Sequence, residues 1–261
     1  MQLQRQYNLL LIGDSCTDEW VYADSVGLSP EGPIPVMKYL ETKSAAGMAG
    51  NVHANLTSLG INVNFLTNKE KITKTRYVHS RSNQQIMRLD TEPECEPLHP
   101  SQLTMAAVHQ QYDAIVISDY DKGFVTLETI EHLASRNPNI KIFVDTKKKK
   151  LPVNYPNVIY KINEKEFSLL DPDHIPKGEN MIVTHGSKGA LWNKKTFPIS
   201  ASKTFDVTGA GDTFLAGLVF YYMQLDSMEE AINFANRCAA IAVQHTGTYT
   251  LTMEDVDGIL K

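Results

Sequence analysis

The stretch Phe205-Asp206-Val207-Thr208-Gly209-Ala210-Gly211-Asp212-Thr213-Phe214 combines residue types that can hold a charged group with one that can take a proton. Two glycines flank an alanine where an apolar helical pattern begins, over Ala210–Gln224. Small residues let the backbone turn tightly, and the first N–H groups of such a helix point outward without intrahelical partners. A terminus of that kind binds an anion, above all a phosphate carrying developing charge. Asp212 falls in the first turn, where the helix dipole favours the carboxylate, so it reads as ionised at neutral pH. Beside an anion site it can accept the proton of an attacking hydroxyl. On composition alone, a glycine turn with Asp212 as a plain capping group explains the same spacing. Lys147 follows a strand pattern ending at Asp145 and could approach a phosphate, whereas Lys148–Lys150 read as a solvated face.

The composition narrows the classes. The chain has 261 residues, 42% hydrophobic and 21% charged, which excludes wholesale disorder and fits one α/β domain with a large core. Lys plus Arg total 25 against 30 Asp plus Glu, a net charge of −5 that argues against nucleic acid as a partner. The 3 cysteines, Cys16, Cys95 and Cys238, are scattered and allow no disulfide framework or zinc knuckle. The 8 histidines never take HExxH spacing. There is no GxxxxGK[ST] loop, no protein-kinase HRD or DFG, and Gly209-x-Gly211 does not have dinucleotide-fingerprint spacing. No apolar run approaches the roughly 20 residues that cross a bilayer. With no cleavage site behind the N-terminal apolar stretch, the chain reads as cytoplasmic, with no membrane partner.

Elements that could position these residues follow from the hydrophobic periodicity. Short apolar runs at Asn8–Ile12, Asp113–Ser118, Lys141–Asp145, Asn157–Lys161 and Met181–Thr184 read as buried strands. Helical patterns fall at Ala49–Leu59, Ser101–Gln111, Thr126–Ser135, Glu164–Leu170, Ala210–Gln224, Met228–His245 and Met253–Leu260. Continuous apolar strands alternating with helices indicate a mostly parallel sheet covered on both faces. Segments 34–41 and 71–90 read as a small β excursion, with a hairpin turn at Ser80–Asn83. The expected organisation is a single domain over 1–261.

The string TGAGDTF at 208–214 resembles the signature of the ribokinase-like (PfkB) sugar kinases. That resemblance implies a three-layer α/β sandwich with a β lid, ATP and Mg²⁺ as cofactors, and Asp212 as catalytic base beside Gly209, Ala210 and Gly211. Asn163-Glu164-Lys165-Glu166 is similar to the family's NxxE motif, which implies Asn163 and Glu166 near magnesium, its waters and the nucleotide phosphates. An N-cap followed by a helix-stabilising Glu accounts for the same pair. Thr184, Gly186 and Gly189 resemble the nucleotide loop, and Asn236 the helix bordering the adenine; a hairpin and a packed helix are the plain alternatives. By the same likeness Asp206 and Thr208 could bind a monovalent cation such as K⁺.

The N-terminal half narrows the acceptor. Asp14 and Asp18 look like the sugar-binding start of the family, as carboxylates accept hydrogen bonds from adjacent hydroxyls. Gly47-Met48-Ala49-Gly50-Asn51 is similar to its GGxxxN loop, with Met48 in place of one glycine. Residues 29–36, 74–76 and 84–90, with Asp119–Gly123, look like the heptose-7-phosphate kinases of the family. Gln85, Arg88 and Lys122 then belong to the substrate site, and Arg76, Arg88 and Lys122 suit a substrate phosphate. Ordinary surface pairing with Asp90 or Asp121 weighs equally. An open β lid leaves exposed edges, which favours burying them against a second copy, so a homodimer is expected.

Two departures stand out. Roughly one strand–helix unit of the family is missing between Gly60 and Lys71, and no nucleotidyltransferase domain follows before Lys261. The other readings are a PfkB-type kinase of another sugar or a nucleoside, a catalytically inactive sugar- or nucleotide-binding module, and a scaffold with no small-molecule site.

Overall fold

A computed structural model describes residues 6–103, 111–199 and 204–261. Its centre is an eight-stranded sheet ordered β12-β11-β10-β9-β8-β7-β1-β4. β1 (Asn8–Gly13), β4 (Asn62–Thr67), β7 (Ala114–Asp119), β8 (Lys141–Thr146), β9 (Val158–Asn163) and β10 (Met181–Thr184) run parallel. β11 (Ala190–Trp192) and β12 (Lys195–Phe197) close one edge antiparallel. Leu9 and Leu11 of β1 face one layer of helices, while Leu10 and Ile12 face the other, so the strand is apolar from Leu9 to Ile12. On the first face pack α1 (Ala49–Ser58), α4 (Ala210–Leu225), α5 (Met228–Ala242) and α6 (Met253–Leu260). On the second, Ile130 and Leu133 of α2 (Leu127–Arg136) pack against Ile115 and Ile117. α3 (Glu164–Ser168) is a short helix behind β9. The expected three-layer α/β architecture with a mostly parallel sheet is the one observed.

A second, four-stranded sheet is ordered β3-β2-β5-β6, from β2 (Ser15–Leu28), β3 (Pro35–Met48), β5 (Thr73–His79) and β6 (Gln85–Thr91). It holds segments 34–41 and 71–90, but β3 runs on to Met48, and β2 is a 14-residue strand that the periodicity did not reveal. The reason is visible on β2's inward face, where Cys16, Asp18 and Trp20 are buried and an acid interrupts the apolar alternation. β4 was missed too, because Asn62 and Asn64 break up its six residues; it lies inside the interval read as shortened, and five residues join it to β5. β11 and β12, three residues each, carry no periodic signal. α3 and α5 end earlier than expected, at Ser168 and Ala242. The helix expected over 101–111 lies largely outside the described residues. Among those described, no helix is long and apolar enough to cross a membrane.

Candidate active site

Parallel strands deliver their C-terminal residues to one rim of the sheet, where open α/β folds bind ligands. β1 and β7 lead into Asp14 and Tyr120, β8 ends at Asp145-Thr146, and β9 brings Lys161 and Asn163. The N-terminus of α4 points at this rim. Its N-cap, Gly209, is left-handed (φ 73°), and a Cβ there would lie 2.6 Å from the Asn51 amide nitrogen. The N–H of Ala210 turns back to the Val207 carbonyl at 3.3 Å, and the first i→i−4 bond runs from Thr213 to Gly209 at 2.9 Å. Gly211 and Asp212, lying between them, precede the first intrahelical donor, so their N–H groups are the ones aimed outward. In front lies a cavity of about 890 Å³, lined among others by Tyr120, Asp145, Lys147, Lys161, Asn163, Thr184, Gly186, Gly189, Gly209–Asp212 and Asn236.

Asp212 is 3% exposed, at the base of this cavity. Its Oδ1 accepts from the Tyr120 hydroxyl at 2.6 Å, and its Oδ2 from the Asn51 side-chain amide at 3.2 Å. Burial pushes the carboxyl up to about 6, with Tyr120, Asn51 and Lys161 opposing the rise and Asp145 adding to it. The helix dipole therefore does not set its ionisation alone: burial outweighs it, and the carboxylate predominates at pH 7 by only about tenfold.

Two charges that sequence reasoning missed sit beside it. Lys161 (4% exposed) and Asp145 (5% exposed) are cross-strand neighbours on β9 and β8, paired at 2.5 Å. A Cβ on Gly211 would lie 3.0 Å from the Lys161 ammonium, which requires a glycine there in another sense than helix entry. The signal was a lysine inside the otherwise apolar run Asn157–Lys161. Asp145 Oδ1 is buried without a hydrogen-bond partner, at the cavity wall.

Asn163 and Glu166 form a capping box: Asn163 Oδ1 accepts from the Glu166 N–H at 2.9 Å, and Glu166 Oε2 from the Asn163 N–H at 2.8 Å. The Glu166 carboxylate also pairs with Lys147, so the capping reading of this segment is the one the geometry contains, with Asn163 at the cavity wall. Lys147 lines the cavity, but Lys148 is not on a solvated face: its ammonium sits between Asp119 (3.4 Å) and Asp121 (2.6 Å), with the side chain mostly buried. Gly189 is left-handed (φ 93°) and packs against the Phe197 backbone; Gly186 (φ 56°) opens on free space. Asn236 lines the cavity while donating to the Phe197 carbonyl at 2.9 Å, which ties its amide to the wall. Thr208 donates through its N–H and hydroxyl to Asp206 Oδ1, and the Gly247 N–H to Oδ2. Burial works against ionisation of Asp206, yet these donors hold its carboxyl below the usual range.

The expected substrate residues separate into two groups. Asp14 is fully buried and accepts from the Tyr120 N–H at 2.7 Å, and Asn51 donates to Asp212, so both lie behind residues that line the cavity rather than lining it themselves. Asp18 is paired with Arg76 at 2.5 Å, both buried, and Arg76 also lies over the Trp20 ring. A Cβ on Gly47 would overlap the Asp18 carboxylate. Arg76 thus pairs with neither Asp90 nor a surface group. Gln85 and Arg88 are exposed on β6, and Arg88 pairs with Asp90 at 2.9 Å. Lys122 pairs with Glu92 at 2.5 Å rather than with Asp121.

A family model described as pfkB family carbohydrate kinase matches residues 48–255, most of the chain. The chain belongs to the PfkB carbohydrate kinase family. This PfkB kinase is 29% identical, over 97% of its own length, to Bifunctional protein HldE of Campylobacter jejuni subsp. doylei, and spans 64% of that protein. Phosphofructokinase-2 from Escherichia coli, solved in complex with potassium, shares its fold with a TM-score of 0.72 at 18% identity, covering 97% of each chain. Ribokinase from Thermotoga maritima does so with a TM-score of 0.69 at 18% identity, covering 97% of this chain and 99% of that one. The fold is ribokinase-like, and the family's activity is phosphoryl transfer to a sugar hydroxyl.

Proposed function

We propose that this PfkB kinase transfers the γ-phosphoryl group of ATP to a hydroxyl of a phosphorylated sugar, a heptose 7-phosphate. The observation that carries the reading is Asp212, held by Tyr120 and Asn51 at the mouth of a glycine-capped helix facing a large cavity. Asp212 takes the proton of the attacking hydroxyl, and the outward N–H groups of Gly211 and Asp212 hold the phosphoryl group in flight. The nucleotide lies along Thr184, Gly186, Gly189 and Asn236, and the sugar against Asp14, Asp18, Gly47 and Asn51, with Gln85, Arg88 and Lys122 at its phosphate. The second sheet closes over the sugar and keeps water from the reacting centre.

The donors present suit magnesium, which keeps several waters and few protein ligands: the unpartnered Asp145 Oδ1 lies at the same wall as Asn163, with Glu166 behind it. When bound, the ion neutralises charge on the triphosphate. Asp206 Oδ1 accepts twice from Thr208, while Oδ2 accepts once, from Gly247, and keeps room for a further partner, so Asp206 stays a candidate ligand for a monovalent cation, to which no step is assigned. The heptose assignment rests on the resemblance of residues 29–36, 74–76, 84–90 and 119–123. ADP release with ATP–Mg²⁺ against a panel of heptose 7-phosphate, fructose 6-phosphate, ribose and adenosine tests it. A preference for any other acceptor overturns the heptose assignment.

The reaction's pH dependence follows from Asp212. Its working form is the carboxylate, present above about pH 6 and lost as pH falls through that value, so kcat/KM declines about tenfold per unit below it. Asp119 is also pushed up to about 6 by burial, but it faces Thr146 and Lys148 away from the cavity. An acid limb near the ordinary carboxylate value of about 4 would contradict this role for Asp212.

A homodimer through the second sheet is part of the proposal. Leu28, Ile34, Tyr39, Leu40, Met87 and Leu89 are exposed on or beside it, more apolar surface than a free sheet keeps without a partner. Light scattering of the protein is expected to give twice the chain mass and the paired variant Tyr39→Asp with Leu40→Asp a monomer; a parent that scatters as a monomer overturns the dimer.

A further inference from the structure

The Asp212 carboxylate is almost fully enclosed as the chain stands. It is 3% exposed, with a phenol on one oxygen and an amide on the other. A sugar hydroxyl that gives up its proton must come within about 2.6–3.2 Å of the same carboxylate. Each oxygen keeps a second acceptor site, but so little of the residue is exposed that the hydroxyl's most direct approach takes the place of one of the two donors, and the structure distinguishes them. Asn51 lies in α1, is 1% exposed, and its Oδ1 and carbonyl both accept from Asn55, which locks its orientation. Tyr120 lies in the loop after β7. Its N–H is pinned to Asp14, but its ring lines the open cavity, flanked by the Lys147 ammonium at 5.1 Å and the Lys74 ammonium at 5.6 Å from the centroid. Lys147 reaches Glu166, and Lys74 stands on β5 of the second sheet, so the ring lies between the cavity wall and that sheet.

We propose that the Tyr120 phenol is a place-holder for the acceptor hydroxyl, occupying the base until sugar displaces it and so suppressing ATP hydrolysis in the sugar-free enzyme. The inference rests on Asp212 being the base. The suppressed reaction is attack of water on the γ-phosphorus: the new O–P bond forms, the bridge to the β-phosphate breaks, the water proton passes to Asp212, and ADP and inorganic phosphate leave. Burial and the neighbouring Asp212 hold the Tyr120 phenol well above its ordinary pKa, so it remains a donor throughout the working range. Tyr120 is a positioning residue that competes with substrate at this oxygen.

The test is Tyr120→Phe. Expected are a rise of about tenfold in ADP release from ATP–Mg²⁺ without sugar and a lower KM for the accepted sugar, since no phenol has to be displaced. A structural role alone would leave the sugar-free rate at or below that of the parent, and that result overturns the proposal, as does a raised KM. In parallel, 3-fluorotyrosine placed at position 120 alone in an otherwise unaltered chain reports on the ring directly. Its ¹⁹F resonance shifts when the accepted sugar is added, and an unmoved resonance overturns the proposal even if the Phe variant folds poorly. The sugar-free rate needs no acceptor, so failure of the heptose reading shows in the acceptor panel and failure of the place-holder in the hydrolysis rate. If Asp212→Asn leaves phosphotransfer intact, the base assignment itself has failed.

Discussion

Asp212→Asn lowers phosphotransfer by about 10²–10⁴-fold while ATP binding is retained. The magnitude is that of a positioned general base removed from a site that keeps its anion-binding amides. Asn keeps the side chain's shape and one acceptor for the Tyr120 hydroxyl, but it sets an NH2 group against the Asn51 amide, so that one contact is lost while the entry of α4 is kept. What disappears is the only group at the α4 N-terminus able to take a proton at neutral pH. The loss falls on kcat with KM for ATP nearly unchanged, because Asp212 acts on the reacting hydroxyl and the nucleotide lies along other walls. Steady-state rates with and without the acceptor, together with a thermal shift by ATP–Mg²⁺, measure both halves. A variant with near-parental kcat would remove Asp212 from the mechanism.

Lys161→Met is expected to destabilise the fold by about 3–5 kcal/mol, the cost of leaving one member of a buried ion pair alone. Lys161 and Asp145 are both almost fully enclosed and paired through Oδ2 at 2.5 Å, and Asp145 Oδ1 has no hydrogen-bond partner, so removal of the ammonium strands a charge. The readout is the midpoint of urea unfolding. Adding Asp145→Asn to Lys161→Met recovers much of the loss, since the stranded charge is then gone as well. The same variant raises the acid limb of the pH profile, because Lys161 is one of the groups holding the Asp212 carboxyl down while Asp145 pushes it up. A midpoint unchanged within error would mean that Asp145 is already neutral or paired elsewhere.

Legibility in the sequence was uneven for physical reasons. Strands buried on both faces, such as Asp113–Ser118 for β7, were readable because continuous apolar runs have no other use in a folded chain. Met181–Thr184 and Met253–Leu260 matched at both ends, each closed by a polar residue or a capping group. β2 was not readable, since Asp18 sits on its buried face and is neutralised by Arg76, 58 positions along the chain. A lone acid in an alternating stretch breaks the pattern until its partner is known. Lys148 was misjudged for the same reason: a run of four lysines resembles a solvated face, and only Asp119 and Asp121 make burial of one of them affordable.

The site divides along the same line. Local order in the chain settles the α4 entry: small residues at 209–211 and an acid at 212 produce outward amides and a carboxylate among them, whatever packs nearby. The family, too, is written in that short string. The strength and availability of the acid belong to the folded molecule. Its pKa near 6 comes from burial and from Tyr120, Asn51, Lys161 and Asp145, which lie between 51 and 161 residues away and meet it because parallel strands end at one rim. Desolvation and hydrogen bonding act over a few ångströms of space, and such distances exist between remote parts of a chain only after it has folded.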